Sequence, residues 1–254
     1  MIKFFRQIRY DLMEQNKTGK YLKYAIGEII LVVIGILIAI QINNWNQQRI
    51  QNKEEQLALK NLKQDFEYNY KALDSSLNRT TINIEKQFLV LEYTGNKPKP
   101  NTELEFNGLL NALADSKEFF PRNGYLNDLF NSGKLGIIKN QVLRNKLSSW
   151  NAVFDNIKAM EREVQISINR VSIMVIKRGS WLNADVAGSS ETVKNNIFPK
   201  SGFDIDNRHL LGELEFENNT ENTIFQNDKL TQRQKKGVQL IAEILELLEK
   251  EIEK

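Results

Sequence analysis

Apolar positions along this chain follow two kinds of pattern, one unbroken and several periodic. From Tyr24 to Ile42 only Glu28 and Gln41 are polar, and Ile29 to Ile40 reads IILVVIGILIAI. A helix over residues 24–42 reaches ~28 Å at about 1.5 Å per residue, close to the ~30 Å hydrocarbon layer of a bilayer. This predicts a transmembrane helix over residues 21–44. A cleaved signal peptide would end in small residues, and Ala39-Ile40-Gln41 breaks that pattern.

The periodic stretches follow. Leu59, Leu62, Phe66, Tyr70, Leu73, Leu77, Ile84, Phe88 and Leu91 keep a helical spacing if Thr81 fills one gap. They predict a long helix over about 46–94, ended by Gly95, Pro98 and Pro100. Leu104, Phe106, Leu109, Leu110 and Leu113 predict a short helix at about 102–115. Tyr125, Leu126, Leu129 and Phe130 predict another at about 123–132, stopped by Ser132-Gly133, with Gly136 loosening the next connection. Leu143, Leu147, Trp150, Phe154, Ile157, Val164, Ile168, Val171 and Val175 form the strongest stripe. Asn140 suits its N-cap and Gly179 its stop, so the helix is placed at 140–178. Residues 183–207 are polar and read as a loop. A short helix at about 207–217 starts from Asp206, and a last one at about 228–253 carries Val238, Ile241, Leu245, Leu248 and Ile252. One-sided stripes must bury against each other. The expected fold is all-α: an N-terminal transmembrane helix, then an antiparallel bundle of long helices over 45–254. Coiled-coil pairing between two copies is the alternative for the first long helix.

Charge sets the expected orientation. The chain has 35 Lys+Arg against 32 Asp+Glu and a formal net charge of +3. The excess sits at the N-terminus, where Lys3, Arg6, Arg9, Lys17, Lys20 and Lys23 face only Asp11 and Glu14. The positive-inside rule therefore puts the N-terminus in the cytoplasm and residues 45–254 outside it. Residues 1–20 read as a basic amphipathic segment, with Ile2, Phe5, Ile8 and Leu12 on one side. Tyr21, Tyr24 and Trp45 fall where a membrane-interface aromatic belt would be. Glu28, near that interface, is expected to pair with Lys20 or Lys23, or to meet a partner helix. Gly35 and Ala39, four residues apart, form a small-xxx-small pair that permits helix dimerisation. The expected partners are thus the membrane and a second copy, held through the span or the first long helix.

The stretches Phe4–Arg6, Gly19–Leu22, Tyr24–Gly35 and Gln41–Asn46 resemble an uncharacterised family of single-span membrane proteins from Bacteroidota, a domain of unknown function. A looser likeness continues at Tyr125–Leu135 and Leu210–Asn218. The resemblance implies a Gram-negative inner membrane and carries no activity or catalytic residue.

The search for chemistry is mostly negative. With no Cys and one His, thiol nucleophiles, Cys-ligated metals and paired-histidine sites are excluded. No phosphate-binding, dinucleotide-binding or nucleophile-elbow motif is present. His209 reads as a solvated histidine at a helix start, and Glu213, Glu215 and Glu217 point to different faces. Tyr125–Trp150 has too long a turn for a DNA-binding helix pair, and residues 43–254 have no basic excess. No cofactor, metal, nucleic acid or enzymatic activity is expected. Two readings remain: an envelope interaction or scaffold module, and a ligand-responsive input module acting through a partner protein.

Overall fold

The computed structural model describes residues 6, 7, 10, 18–186, 199 and 201–252, with only the backbone for 18, 20, 21 and 186. The amphipathic segment expected over 1–20 lies almost wholly outside the described residues, as does most of the expected loop 183–207. The described residues are all-α. The chain divides into two compact units, Met1–Leu57 and Ala58–Lys254.

The helix α1 runs Thr18–Leu91, 74 residues, and contributes to both units. The span expected at 21–44 and the helix expected at 46–94 are therefore one element. No Pro or Gly falls between Gly35 and Gly95, so nothing in the chain interrupts backbone hydrogen bonding there. In the first unit the apolar side chains of α1 are exposed, from Leu22 at 61% to Ile42 at 61%.

The second unit continues with α2 (Glu103–Ala114), α3 (Gly124–Asn131), α4 (Gln141–Arg178), α5 (Trp181–Val186) and α6 (Leu214–Ile252). Short 3₁₀ turns occupy Lys134–Ile137 and Asn207–Gly212. Thr102 caps α2 by accepting from Glu105 N, and Asn140 caps α4 by accepting from Leu143 N at 3.0 Å. Gly133, with φ of 67°, takes the left-handed conformation that ends α3.

Side-chain contacts give the direction of each element. Lys63 meets Glu249 at 3.0 Å, and Gln87 meets Asn227 at 3.1 Å, so α1 and α6 are antiparallel. Lys146 meets Glu243 at 2.5 Å and Arg178 meets Glu215 at 3.3 Å, so α4 and α6 are antiparallel too. Between α1 and α4 the chain descends along α1. Gln87 bonds Ala112 O, Ser76 bonds Lys117 O and Asn69 bonds Arg122 O in turn. The second unit is thus an up-down-up-down bundle whose second member is broken into α2, an extended stretch and α3.

The apolar core forms two clusters. In the larger, Trp150 packs edge-on against Phe66 at 5.7 Å and Phe119 at 6.1 Å between ring centroids, beside Leu59, Leu62, Leu73, Leu147 and Ile241. Such edge-to-face pairs add to plain area burial. The smaller joins Val90, Phe106, Leu113, Val171, Leu211 and Phe216. Gly237 lets the helices of the larger cluster approach. A Cβ there would stand 2.8 Å from Leu73 Cδ2 and 2.9 Å from Ile157 Cδ1.

Three expectations need correcting. The last helix begins at Leu214, so the helix expected at 207–217 is a 3₁₀ turn followed by the start of α6, and 228 is mid-helix. Inward positions in that stretch are Thr220, Thr223 and Asn227, which hide the helical period from an apolar count. The first residues of the expected loop form α5. Beyond Leu73 the buried face of α1 is not the apolar one. Ser76, Thr80, Asn83 and Gln87 are buried, while Ile82 is 44% and Phe88 54% exposed.

Candidate functional site

Two regions carry the candidate chemistry, one in each unit. In the first unit, helix geometry puts Glu28, Gly35 and Ala39 on one face, seven and four residues apart. Glu28 is half-buried, whereas Gly35 and Ala39 are exposed. A Cβ at Gly35 would meet nothing within 4 Å, so close approach of a second helix is open there. Tyr24 is 56% and Trp45 64% exposed, and Arg49 lies 5.9 Å from the Trp45 ring centroid. Tyr21 lies within α1, and its side chain falls outside the described residues.

In the second unit a belt of buried polar side chains separates the two apolar clusters. Its cause is the extended stretch 115–123, whose backbone has no helical partners. Inward amides and hydroxyls of α1 supply them. Asn69 donates to Arg122 O at 3.1 Å and accepts from Arg122 N at 2.7 Å. Ser76 donates to Lys117 O at 2.5 Å and Asn83 to Asp115 O at 2.9 Å. Helix α6 closes the belt, with Gln234 donating to Ser76 Oγ at 2.9 Å and Asn227 to Gln87 Oε1. Among the described residues, Gln234 Oε1 and Thr231 Oγ1 are buried there with no hydrogen-bond partner. No apolar pattern points to these residues. The signal that does is an amide or hydroxyl every seven residues, at Asn69, Ser76 and Asn83.

Charge enters the belt from α4. Glu161 is 7% exposed and accepts from Phe119 N at 2.8 Å and from Lys158 at 2.5 Å. Burial pushes its carboxyl above the usual range, and the Lys158 and Phe119 hydrogen bonds only partly offset this. Lys158 also reaches Glu118 at 2.8 Å. Asp115 goes the other way. Burial would raise it, but hydrogen bonds from Arg79 and Asn83 and the charges of Arg79 and Lys86 hold it below its usual value.

At the end of the bundle nearest α5, buried Asn207 acts as a hub. Its side chain accepts from Ser180 N at 2.7 Å and donates to Asn107 Oδ1 at 2.8 Å and Ser180 O at 2.9 Å. Next to it lies an open hollow of about 550 Å³ lined by Glu103, Asn107, Asn183, Phe203 and Asp204. His209 is exposed, with Nδ1 2.7 Å from Asp206 O. Glu213 and Glu215 both pair with Arg178, and Glu217 accepts from Thr94, so these three acids do not converge. Among the described residues no group of three or more His, Cys, Asp or Glu is placed to hold a metal ion. Among the described residues the arrangement is one of positioning and packing.

One helix near the N-terminus, α1, is long and apolar enough to cross a membrane. No curated protein and no solved structure matches the chain. A family model described as a family of unknown function matches residues 28–154, from the apolar part of α1 to the middle of α4. By that match, which covers half of its length, the chain belongs to the family of unknown function DUF6090.

Proposed function

We propose that the chain is a membrane-anchored protein-interaction module. The supporting observation is the apolar part of α1, none of which is buried by the rest of the protein. A surface that apolar needs another cover, and a bilayer supplies one. The N-terminal resemblance and the basic N-terminus favour the inner membrane of a Gram-negative bacterium, with the N-terminus in the cytoplasm and the bundle outside. The bundle itself keeps large apolar side chains in solvent, among them Ile82 at 44%, Phe88 at 54% and Leu89 at 50%, which suits contact with other proteins. The test is protease treatment of spheroplasts carrying a C-terminal tag. Cleavage supports the reading; a tag that stays protected until lysis refutes the orientation. Carbonate extraction of the protein into the soluble fraction refutes the anchor.

One observation favours a ligand-responsive reading instead, the hollow beside Asn107 and Asn183. A rise in thermal stability with small polar ligands, lost on Asn183→Ala, would move the weight to it.

A further inference from the structure

Helices α4 and α6 lie side by side, and their outward faces carry opposite charge. On α4, Arg162, Ile166 and Arg170 are exposed and four residues apart, forming one stripe. On α6, Glu221, Phe225 and Asp228 form another, spaced by four and three. Ile166 is 47% and Phe225 51% exposed. Among the described residues Arg162, Arg170 and Glu221 have no ion-pair partner. Lys229 rests 4.0 Å from the Phe225 ring centroid, and Glu163 adjoins Arg162, so each stripe has one charge of the other sign at its edge.

The register inside the chain determines what these stripes can meet. The contacts Lys146–Glu243, Ser167–Asn222 and Arg178–Glu215 fix heights along the antiparallel pair. On that scale Arg162 stands near Asp228, Ile166 near Phe225 and Arg170 near Glu221, each to within about two residue rises, ~3 Å. Within one chain the two members of each pair both face outward and do not touch. A two-fold axis parallel to the helices changes this. It sets α4 of one copy against α6 of the other, antiparallel and at unchanged height, so every pair forms twice.

We propose that the bundle self-associates through the α4–α6 face, with Arg162–Asp228 and Arg170–Glu221 ion pairs flanking an Ile166–Phe225 contact between copies. This rests on the reading of the chain as an interaction module and names its partner. Ile173, 48% exposed, and Leu214, 70% exposed, extend the apolar seam. A second copy is the occupant because the chain itself supplies the complementary stripe at the matching height. An anionic membrane surface would attract the Arg stripe and repel the Glu221–Asp228 stripe. Exposed ion pairs contribute little individually, so the charges set register while the apolar contact supplies affinity. Two copies anchored in one membrane meet at raised effective concentration, which suits an interface of modest size.

The chain has no Cys, so an introduced thiol is unique. Full-length Ile166→Cys and full-length Phe225→Cys, carrying different tags, are co-expressed and their membranes oxidised. A disulfide needs Cβ atoms about 4 Å apart, so the mixed dimer should be about tenfold more abundant than with Asn78→Cys, on the exposed side of α1, in place of Ile166→Cys. Arg170→Glu should reduce the mixed dimer, and adding Glu221→Arg to the same chains should restore it. A variant that merely misfolds would not be rescued. Equal yields for both cysteine pairs, or no rescue by the charge swap, overturn the proposal. If native mass spectrometry shows the wild-type chain in a stoichiometric complex with a different protein and no second copy, self-association falls and the interaction module stands. A lone monomer in the membrane overturns both.

Discussion

The Asn69–Arg122 bridge separates a hydrogen-bond effect from a packing effect. Asn69 is 0% exposed, and its amide meets both the N–H and the C=O of Arg122, at 2.7 and 3.1 Å. Leu has the same branched skeleton with bulkier end groups and can make neither bond, so Asn69→Leu removes the bridge without opening a cavity. Leaving a buried backbone group unsatisfied costs ~1–3 kcal/mol. Arg122 is itself exposed, so water reaches its backbone from the far side and the lower end applies to each group. The expected loss is about 2 kcal/mol for Asn69→Leu, with about 1 kcal/mol more for Asn69→Ala, which adds a void. The assay is urea unfolding of the detergent-solubilised chain followed by far-ultraviolet circular dichroism. Exposed Lys71, two residues on, serves as control, and Lys71→Ala should change stability by less than ~0.5 kcal/mol. If Asn69→Leu is as stable as wild type while Asn69→Ala is not, only packing matters at this site and the bridge argument is refuted.

Four further outcomes are expected. Gly237→Leu should destabilise by about 3 kcal/mol, since even a Cβ there crowds Leu73 and Ile157; a neutral result in the same unfolding assay would contradict the close approach of α6. The folded state holds the Glu161 proton more tightly than the unfolded state, so its share of stability falls as pH rises from the ordinary glutamate value of 4.5. Glu161→Gln should therefore flatten the pH dependence of the urea midpoint just above pH 4.5, and parallel curves for the two proteins would count against a raised carboxyl. Deleting Ile29–Ile40 should release the chain to the soluble fraction, and continued sedimentation with membranes would disprove a single anchor. Gly35→Ile should weaken crosslinking within the span, and an unchanged yield would remove Gly35 and Ala39 from consideration.

The parts of the fold that were legible are those where burial and hydrophobicity coincide. Helix α4 keeps Leu143, Leu147, Trp150, Ile157, Val164 and Val171 inward between Asn140 and Gly179, so its period, cap and stop all agree. The apolar run of α1 was legible for the opposite reason, having no polar face at all. Past Leu73 the two properties part. The descending stretch has backbone groups to satisfy, and α1 turns Ser76, Asn83 and Gln87 toward them while Phe88 faces out. Tertiary demand there outweighs side-chain hydrophobicity, and a reading by apolar spacing follows the wrong face. The same belt conceals the first turns of α6, where Thr220, Thr223 and Asn227 point inward. The Glu28, Gly35 and Ala39 face follows from helix geometry alone. The pairing of α4 and α6 stripes does not, because their relative height is set by contacts such as Ser167–Asn222.

The polar belt also divides the molecule into two optically distinguishable halves. Trp150 is fully buried in the larger apolar cluster, and Trp181 packs against the smaller one. The belt between them is joined by side-chain hydrogen bonds such as Gln234 to Ser76, which exchange readily for water once it enters. The bundle therefore has a built-in seam for sub-global opening. The smaller cluster, with less apolar surface to expose, opens first, so Trp181 emission shifts while Trp150 remains shielded. With exposed Trp45 already replaced by Phe, replacing either remaining tryptophan with Phe would let one half of the bundle be followed at a time, and amide exchange should rank α2 and α5 as less protected than the Trp150 end of α4.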